Sequence, residues 1–110
     1  MTLAQHDVAR AHANEVRRST AEARWRVAAQ PTLDGGLAVL ADELESGRVW
    51  PRHLRVVEVL AWPRRSGPVM QRRLLRGVGL SESRKVGELT VRERGVLVLA
   101  LRSGLAGRAA

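Results

Sequence analysis

Seven basic side chains stand between Arg64 and Lys85, and Glu82 is the single acid among them. Arg64 and Arg65 lie in a turn-forming stretch that also holds Pro63, Ser66, Gly67 and Pro68. Arg72, Arg73 and Arg76 recur at three- and four-residue spacing, and Arg84 and Lys85 follow a second turn at Gly77-Val78-Gly79-Leu80. A guanidinium presents a planar fork of donors that matches phosphate oxygens, and amides at the start of a helix add further donors. Two basic turns joined by a basic helix therefore suit a phosphodiester backbone. The other use of such charges is a solvated basic face, and their segregation favours the polyanion. Residues 1–30 carry +2, 31–63 carry −2 and 64–110 carry +8.

Other chemistries lack their parts. A chain without cysteine forms no disulfide, thiolate zinc site, iron–sulfur cluster or thiol nucleophile, and this fits a cytoplasmic protein. His6 and His12 are six residues apart and do not share a helix face, and His53 is alone, so no metal site is expected. Asp42, Glu43 and Glu45 have no histidine or lysine near them and read as a solvated acidic face. Ser66, Ser81 and Ser83 lack a base and read as turn or cap residues. Nucleotide-binding loops, dinucleotide fingerprints and nucleophile elbows do not occur. These readings predict a non-enzymatic chain with no cofactor. Trp25, Trp50 and Trp62, the only aromatic residues, are expected to fill the core, which argues against a stacking platform for single strands.

The elements that position the basic residues read as all-α. At 110 residues and 12.1 kDa the chain has the size of one domain. Its longest strictly apolar run, Val96 to Leu101, is far short of the roughly 20 residues of a membrane span. Gln5, His6 and Asp7 interrupt any N-terminal targeting segment. Residues 1–30 form a long helical arm opened by a Thr2-x-x-Gln5 capping box and ended by Pro31. Its larger apolar residues, Leu3, Val8, Val16, Trp25 and Val27, are too sparse for a continuous buried stripe, so the arm is expected to be partly exposed and supported by pairs such as Glu22 with Arg26.

Residues 31–103 are expected to form a compact helical domain, and 104–110 a frayed tail. Thr32 or Asp34 caps a short helix carrying Leu37, Leu40 and Leu44, which Gly47 ends. Leu54 to Trp62 is apolar nearly all round and reads as the central core helix, although its valines would also suit a strand. Met70, Leu74 and Val78 give the next helix an apolar line opposite its arginines. Ser81 is expected to cap a short segment closed by Gly87. Thr90 and Glu93 open a last helix that Gly95 weakens by about 1 kcal/mol relative to alanine.

The motifs Trp62-Pro63-Arg64-Arg65-Ser66-Gly67, Val78-Gly79-Leu80 and Arg84-Lys85-Val86-Gly87-Glu88-Leu89-Thr90 occur in the order of a known family. From about Arg48 to Leu101, and more loosely from the arm onward, the chain resembles the actinobacterial integration host factors, small nucleoid proteins, in the manner of a divergent or phage-borne copy. The counterparts there are a Leu-Pro-Gly-Val-Gly hairpin, a Leu-Gly-Ile turn and an Arg-Arg-Val-Arg-Gly-Leu-Gly segment, and identity is concentrated from Gly79 to Val86. The same helix-two-turns-helix plan is found in a ribosomal small-subunit head protein and in some DNA glycosylases. This chain departs from the family in its first hairpin, which is one residue longer and has two arginines in place of Gly-Val-Gly. It departs again at Gly87 and Glu88, where the family has a third arginine and a small neutral residue.

The resemblance implies binding of double-stranded DNA with little sequence preference, in the nucleoid, with effects on compaction, bending or topology. It makes Arg84 and Lys85 phosphate contacts and Arg64, Arg65, Ser66 and Gly67 a docking turn. Arg72, Arg73 and Arg76 are added from charge alone. In a rival register, Gly77-Val78-Gly79 is the phosphate-binding hairpin and Leu80 to Val86 its helix. Arg17, Arg18, Arg24 and Arg26 either reach DNA or decorate an ordinary exposed helix. A recombinase or another nucleoid protein is a further partner class, and a monomer is expected in free solution because no heptad seam is present. With four to six phosphates neutralised, log K should fall against log salt with a slope of roughly −3.5 to −5.5. The alternatives are binding of structured RNA, and docking of the basic half on an acidic protein.

Overall fold

A computed structural model describes residues 2–46, 50–51 and 53–103. Five α-helices run in the order α1 (Leu3–Ala28), α2 (Leu33–Glu45), α3 (Val56–Leu60), α4 (Pro68–Val78) and α5 (Val91–Arg102), with one 3-10 turn at Val86–Glu88. Among the described residues no strand forms, and the fold is all-α. The expected stop at Gly47 and the tail at 104–110 lie outside the described residues.

The capping box at the start of α1 forms as its sequence predicts: Gln5 N–H donates to the Thr2 hydroxyl at 3.2 Å, and Thr2 N–H to the Gln5 side chain at 2.9 Å. Alanine-rich composition then carries the helix for 26 residues, a length of about 39 Å. Residues 2–15 are exposed on every face, and burial begins with Ala23 and Val27. The arm therefore projects from the body, whose longest dimension with it is 55 Å, while its last two turns belong to the core. Trp25 does not. It is 71% exposed, because on a helix buried through Ala23 and Val27 the intervening residue points outward.

The body is built on α2 against α5, the most extensive helix contact in the molecule. Leu37, Leu40 and Leu44 of α2 meet Leu97, Val98 and Leu101 of α5, and α3 adds Val56, Val59 and Leu60. Each fully buried leucine or valine contributes about 1.5–3 kcal/mol of transfer free energy. Trp50 and Trp62 close one end, with ring centroids 5.3 Å apart and planes tilted by 47°. Next to Trp62, Gly36 permits a close approach: a Cβ there would stand 2.8 Å from Pro63 Cβ and 3.3 Å from the Val27 carbonyl. That approach sets the turn after α3 against the ends of α1 and α2.

The central element is shorter than Leu54 to Trp62. Only Val56–Leu60 is helical, since Arg55 is extended and pairs with Lys85 in an isolated antiparallel bridge. Val56 N–H donates to the Arg84 carbonyl at 2.9 Å and Val86 N–H to the Leu54 carbonyl at 2.7 Å. Each bridge residue is followed three positions later by a glutamate that accepts its N–H, Glu58 for Arg55 at 2.8 Å and Glu88 for Lys85 at 2.9 Å. The matched spellings Arg55-Val-Val-Glu58 and Lys85-Val-Gly-Glu88 thus fold alike.

Ser81 does not cap the short segment after it. Ser81 to Arg84 is a turn closed by Arg84 N–H on the Ser81 carbonyl at 3.2 Å, Ser81 and Ser83 share a hydroxyl contact, and Gly87 lies inside the 3-10 turn. The helix from Leu80 to Val86 required by the rival register is therefore absent. Gly95 does not interrupt α5, which Thr90 and Glu93 open with a complete capping box.

Candidate nucleic-acid interface

The first basic turn is Pro63-Arg64-Arg65-Ser66, closed by Ser66 N–H on the Pro63 carbonyl at 3.3 Å. Arg65 has φ of 64°, a left-handed conformation that glycine normally supplies and that costs a side-chain-bearing residue about 1–2 kcal/mol. Its neighbours hold it there. Arg64 Nε donates to the Ala28 carbonyl at 2.9 Å, which ties the turn to the C-terminus of α1. The Ser66 hydroxyl donates to the Leu60 carbonyl and accepts from the buried Gln71 side chain at 3.2 Å. Gly67 then starts α4 without a side-chain cap, and Pro68 takes the first helical position, where a missing N–H costs nothing.

Helix α4 exposes Arg72, Arg73 and Arg76 and buries Gln71, Leu74 and Leu75. Over 11 residues it separates the two turns by about 16 Å. Gly79, with φ of 77°, ends it in a Schellman arrangement: Leu80 N–H reaches the Leu75 carbonyl at 2.9 Å and Gly79 N–H the Arg76 carbonyl at 3.2 Å. Arg72 pairs with Glu82 of the second turn at 3.3 Å.

Arg84 and Lys85, adjacent in sequence, have different surroundings. Arg84 Nη2 donates to Glu93 at 2.5 Å and to the Glu88 carbonyl at 3.0 Å. Its guanidinium therefore locks the second turn onto α5. The Thr90 N–H and Arg84 together hold the Glu93 carboxyl below the usual carboxylate range. Lys85 has its backbone fixed by the bridge and its side chain exposed.

The acidic helix is not a bare solvated face. Glu43 is buried and accepts from Arg26 Nε at 2.6 Å, while Arg102 of α5 spans Asp42 at 2.7 Å and Glu45 at 2.8 Å. The Arg102 guanidinium lowers the Glu45 pKa, and the two acids raise that of Arg102. Arg26 is consequently a joint between α1 and α2, unlike the other candidates on the arm.

Arg17, Arg18 and Arg24 stay exposed, with Arg17 donating to Asn14 at 2.6 Å. Arg10, which sequence reasoning passed over, is exposed as well and completes a stripe with Arg17 and Arg24. Their seven-residue spacing, legible in the sequence, places them on one helix face at intervals of about 10.5 Å.

Among the described residues, Arg65, Arg73, Arg76 and Lys85 are the members of the Arg64–Lys85 set that are exposed and have neither an ion-pair carboxylate nor a side-chain hydrogen bond. No group of three or more potential metal ligands occurs among those residues, and no described helix is long and apolar enough to cross a membrane. Compared with known proteins, the chain matches no family model, no curated protein and no solved structure.

Proposed function

We propose that the chain binds double-stranded DNA through its phosphate backbone, without enzymatic activity and with little sequence preference, as a nucleoid protein of the integration host factor kind. The observation that carries this reading is the set Arg65, Arg73, Arg76 and Lys85, four exposed cations without carboxylate partners, each on a backbone fixed by a turn, a helix or a bridge. A fixed backbone sets the spacing of the cations, so only their side chains have to order when they meet phosphates. The strained φ of Arg65 supports the same reading, since a glycine would satisfy the turn without strain and the arginine presents a cation there instead. Arg26 and Arg102 offset two of the four acids of α2, which reduces the repulsion that its acidic face would exert on a phosphate backbone.

The test is fluorescence anisotropy of a short labelled duplex of arbitrary sequence across a salt series, with duplex RNA as competitor. Four phosphate contacts give a slope of log K on log salt of about −3.6. Lys85→Ala should flatten it by about one unit. Arg84→Ala should leave it nearly unchanged and lower the melting temperature instead, because Arg84 is committed to Glu93. An absence of binding at low salt overturns the reading, and equal competition by duplex RNA replaces it with recognition of structured RNA.

A further inference from the structure

We propose that Trp25 is an aromatic contact for an unstacked base, so that the protein prefers duplexes carrying a bulged or flipped-out nucleotide over fully paired ones. The inference rests on the DNA-binding reading above and adds to it a substrate preference.

Trp25 is the only indole outside the core, since Trp50 is buried and Trp62 packs against it. Its helical neighbours three and four residues before and after are Glu22, Ala21, Ala28 and Ala29, so among those positions only Glu22 has a long side chain beside the ring. The other large exposed apolar residues, including Leu3, Val8, Val91 and Leu99, are aliphatic and offer no π-face. An exposed indole costs solubility and returns nothing to folding.

Its surroundings select the partner. Trp25 lies three residues, about one helical turn, before Ala28, whose carbonyl accepts from Arg64 of the first basic turn. Arg18 is two turns back along the same side, and Arg24 and Arg65 are exposed. The acid nearest in sequence, Glu22, is drawn toward Arg26, itself tied to Glu43. An aromatic face on a helical segment that carries Arg17, Arg18, Arg24 and Arg26 against Glu22 alone suits a polyanion that also presents a π-surface, and a duplex offers one where a base has left the stack. Intact B-form DNA hides its base faces, which is why the preference is for a defect.

The full chain is titrated into a short duplex containing one unpaired adenine and into its fully paired counterpart, while anisotropy and acrylamide quenching of tryptophan are followed. The bulged duplex should bind at least about fivefold more tightly and shield the accessible tryptophan. Trp25→Ala should abolish that excess and leave the salt slope unchanged, because indole carries no charge, and Trp25→Phe should keep part of it. Equal affinity for the two duplexes, or a preference that survives in Trp25→Ala, overturns the inference while leaving backbone binding intact. Failure to bind either duplex overturns both. Shielding that depends on protein concentration without DNA assigns the indole to a protein contact and overturns it too.

Discussion

Arg65 separates what stabilises the fold from what the surface is for. At φ of 64° it occupies a backbone position where glycine is free of strain, yet Ser66, Gln71 and Arg64 fix the turn around it regardless. Arg65→Gly should therefore raise the unfolding free energy by up to about 1 kcal/mol in urea denaturation and weaken duplex binding in the same preparation. A variant that loses stability would show that the arginine side chain itself holds the turn. Individual residues were unevenly legible in the sequence. The exposed cations of α4 could be placed from their spacing, but nothing local distinguishes Arg84 from Lys85, or Arg26 from Arg24. The difference lies in Glu93 and Glu43, which become neighbours only when α5 and α2 fold against them. Trp25 was misplaced for a related reason: hydrophobic type suggested burial, whereas the phase of Ala23 and Val27 decided it.

Helices with strong boundary signals were readable, and the short pieces between them were not. Thr2, Thr32 and Thr90 cap as their sequences predict, and α1, α2, α4 and α5 follow. The contracted α3 and the turn that stands at Ser81 to Arg84 in place of a capped segment depend on the Arg55–Lys85 bridge, a contact between residues thirty apart that no window of local periodicity contains. Two glycines make the elements testable. Gly95 sits in the interior of α5, and an added Cβ meets nothing within 4 Å, so Gly95→Ala should stabilise the protein by about 0.5–1 kcal/mol through helix propensity and a less flexible unfolded chain. Gly79 also has open space around it, but its φ is 77°, and Gly79→Ala should destabilise by about 1 kcal/mol. Chemical denaturation of the pair distinguishes backbone conformation from crowding, since neither substitution has a steric neighbour. Equal effects of the two would mean that the Schellman ending of α4 is not held at positive φ.

At the scale of the molecule, a chain of net charge +8 is held together partly by the few carboxylates it has. Arg102 joins α5 to α2 through Asp42 and Glu45, Arg84 joins the second turn to α5 through Glu93, and Glu58 closes on the Arg55 backbone at the central bridge. Glu45, Glu58 and Glu93 all have pKa values lowered from 4.5, by the Arg102 side chain, the Arg55 backbone N–H and the Thr90 backbone N–H respectively. A carboxyl whose pKa is lower in the folded state stabilises it fully above the unfolded value. That contribution fades as pH falls through the folded value. Protonation also releases the paired arginines to repel one another, and the two effects act together. The melting temperature followed by circular dichroism should thus be nearly level from pH 7 to about 5 and drop below about 4.5. Glu45→Gln should melt lower at pH 7 and lose less on acidification, because one of the titrating links is already gone. A wild-type melting temperature unchanged down to pH 3 would show that the α2–α5 joint is held by its leucines alone.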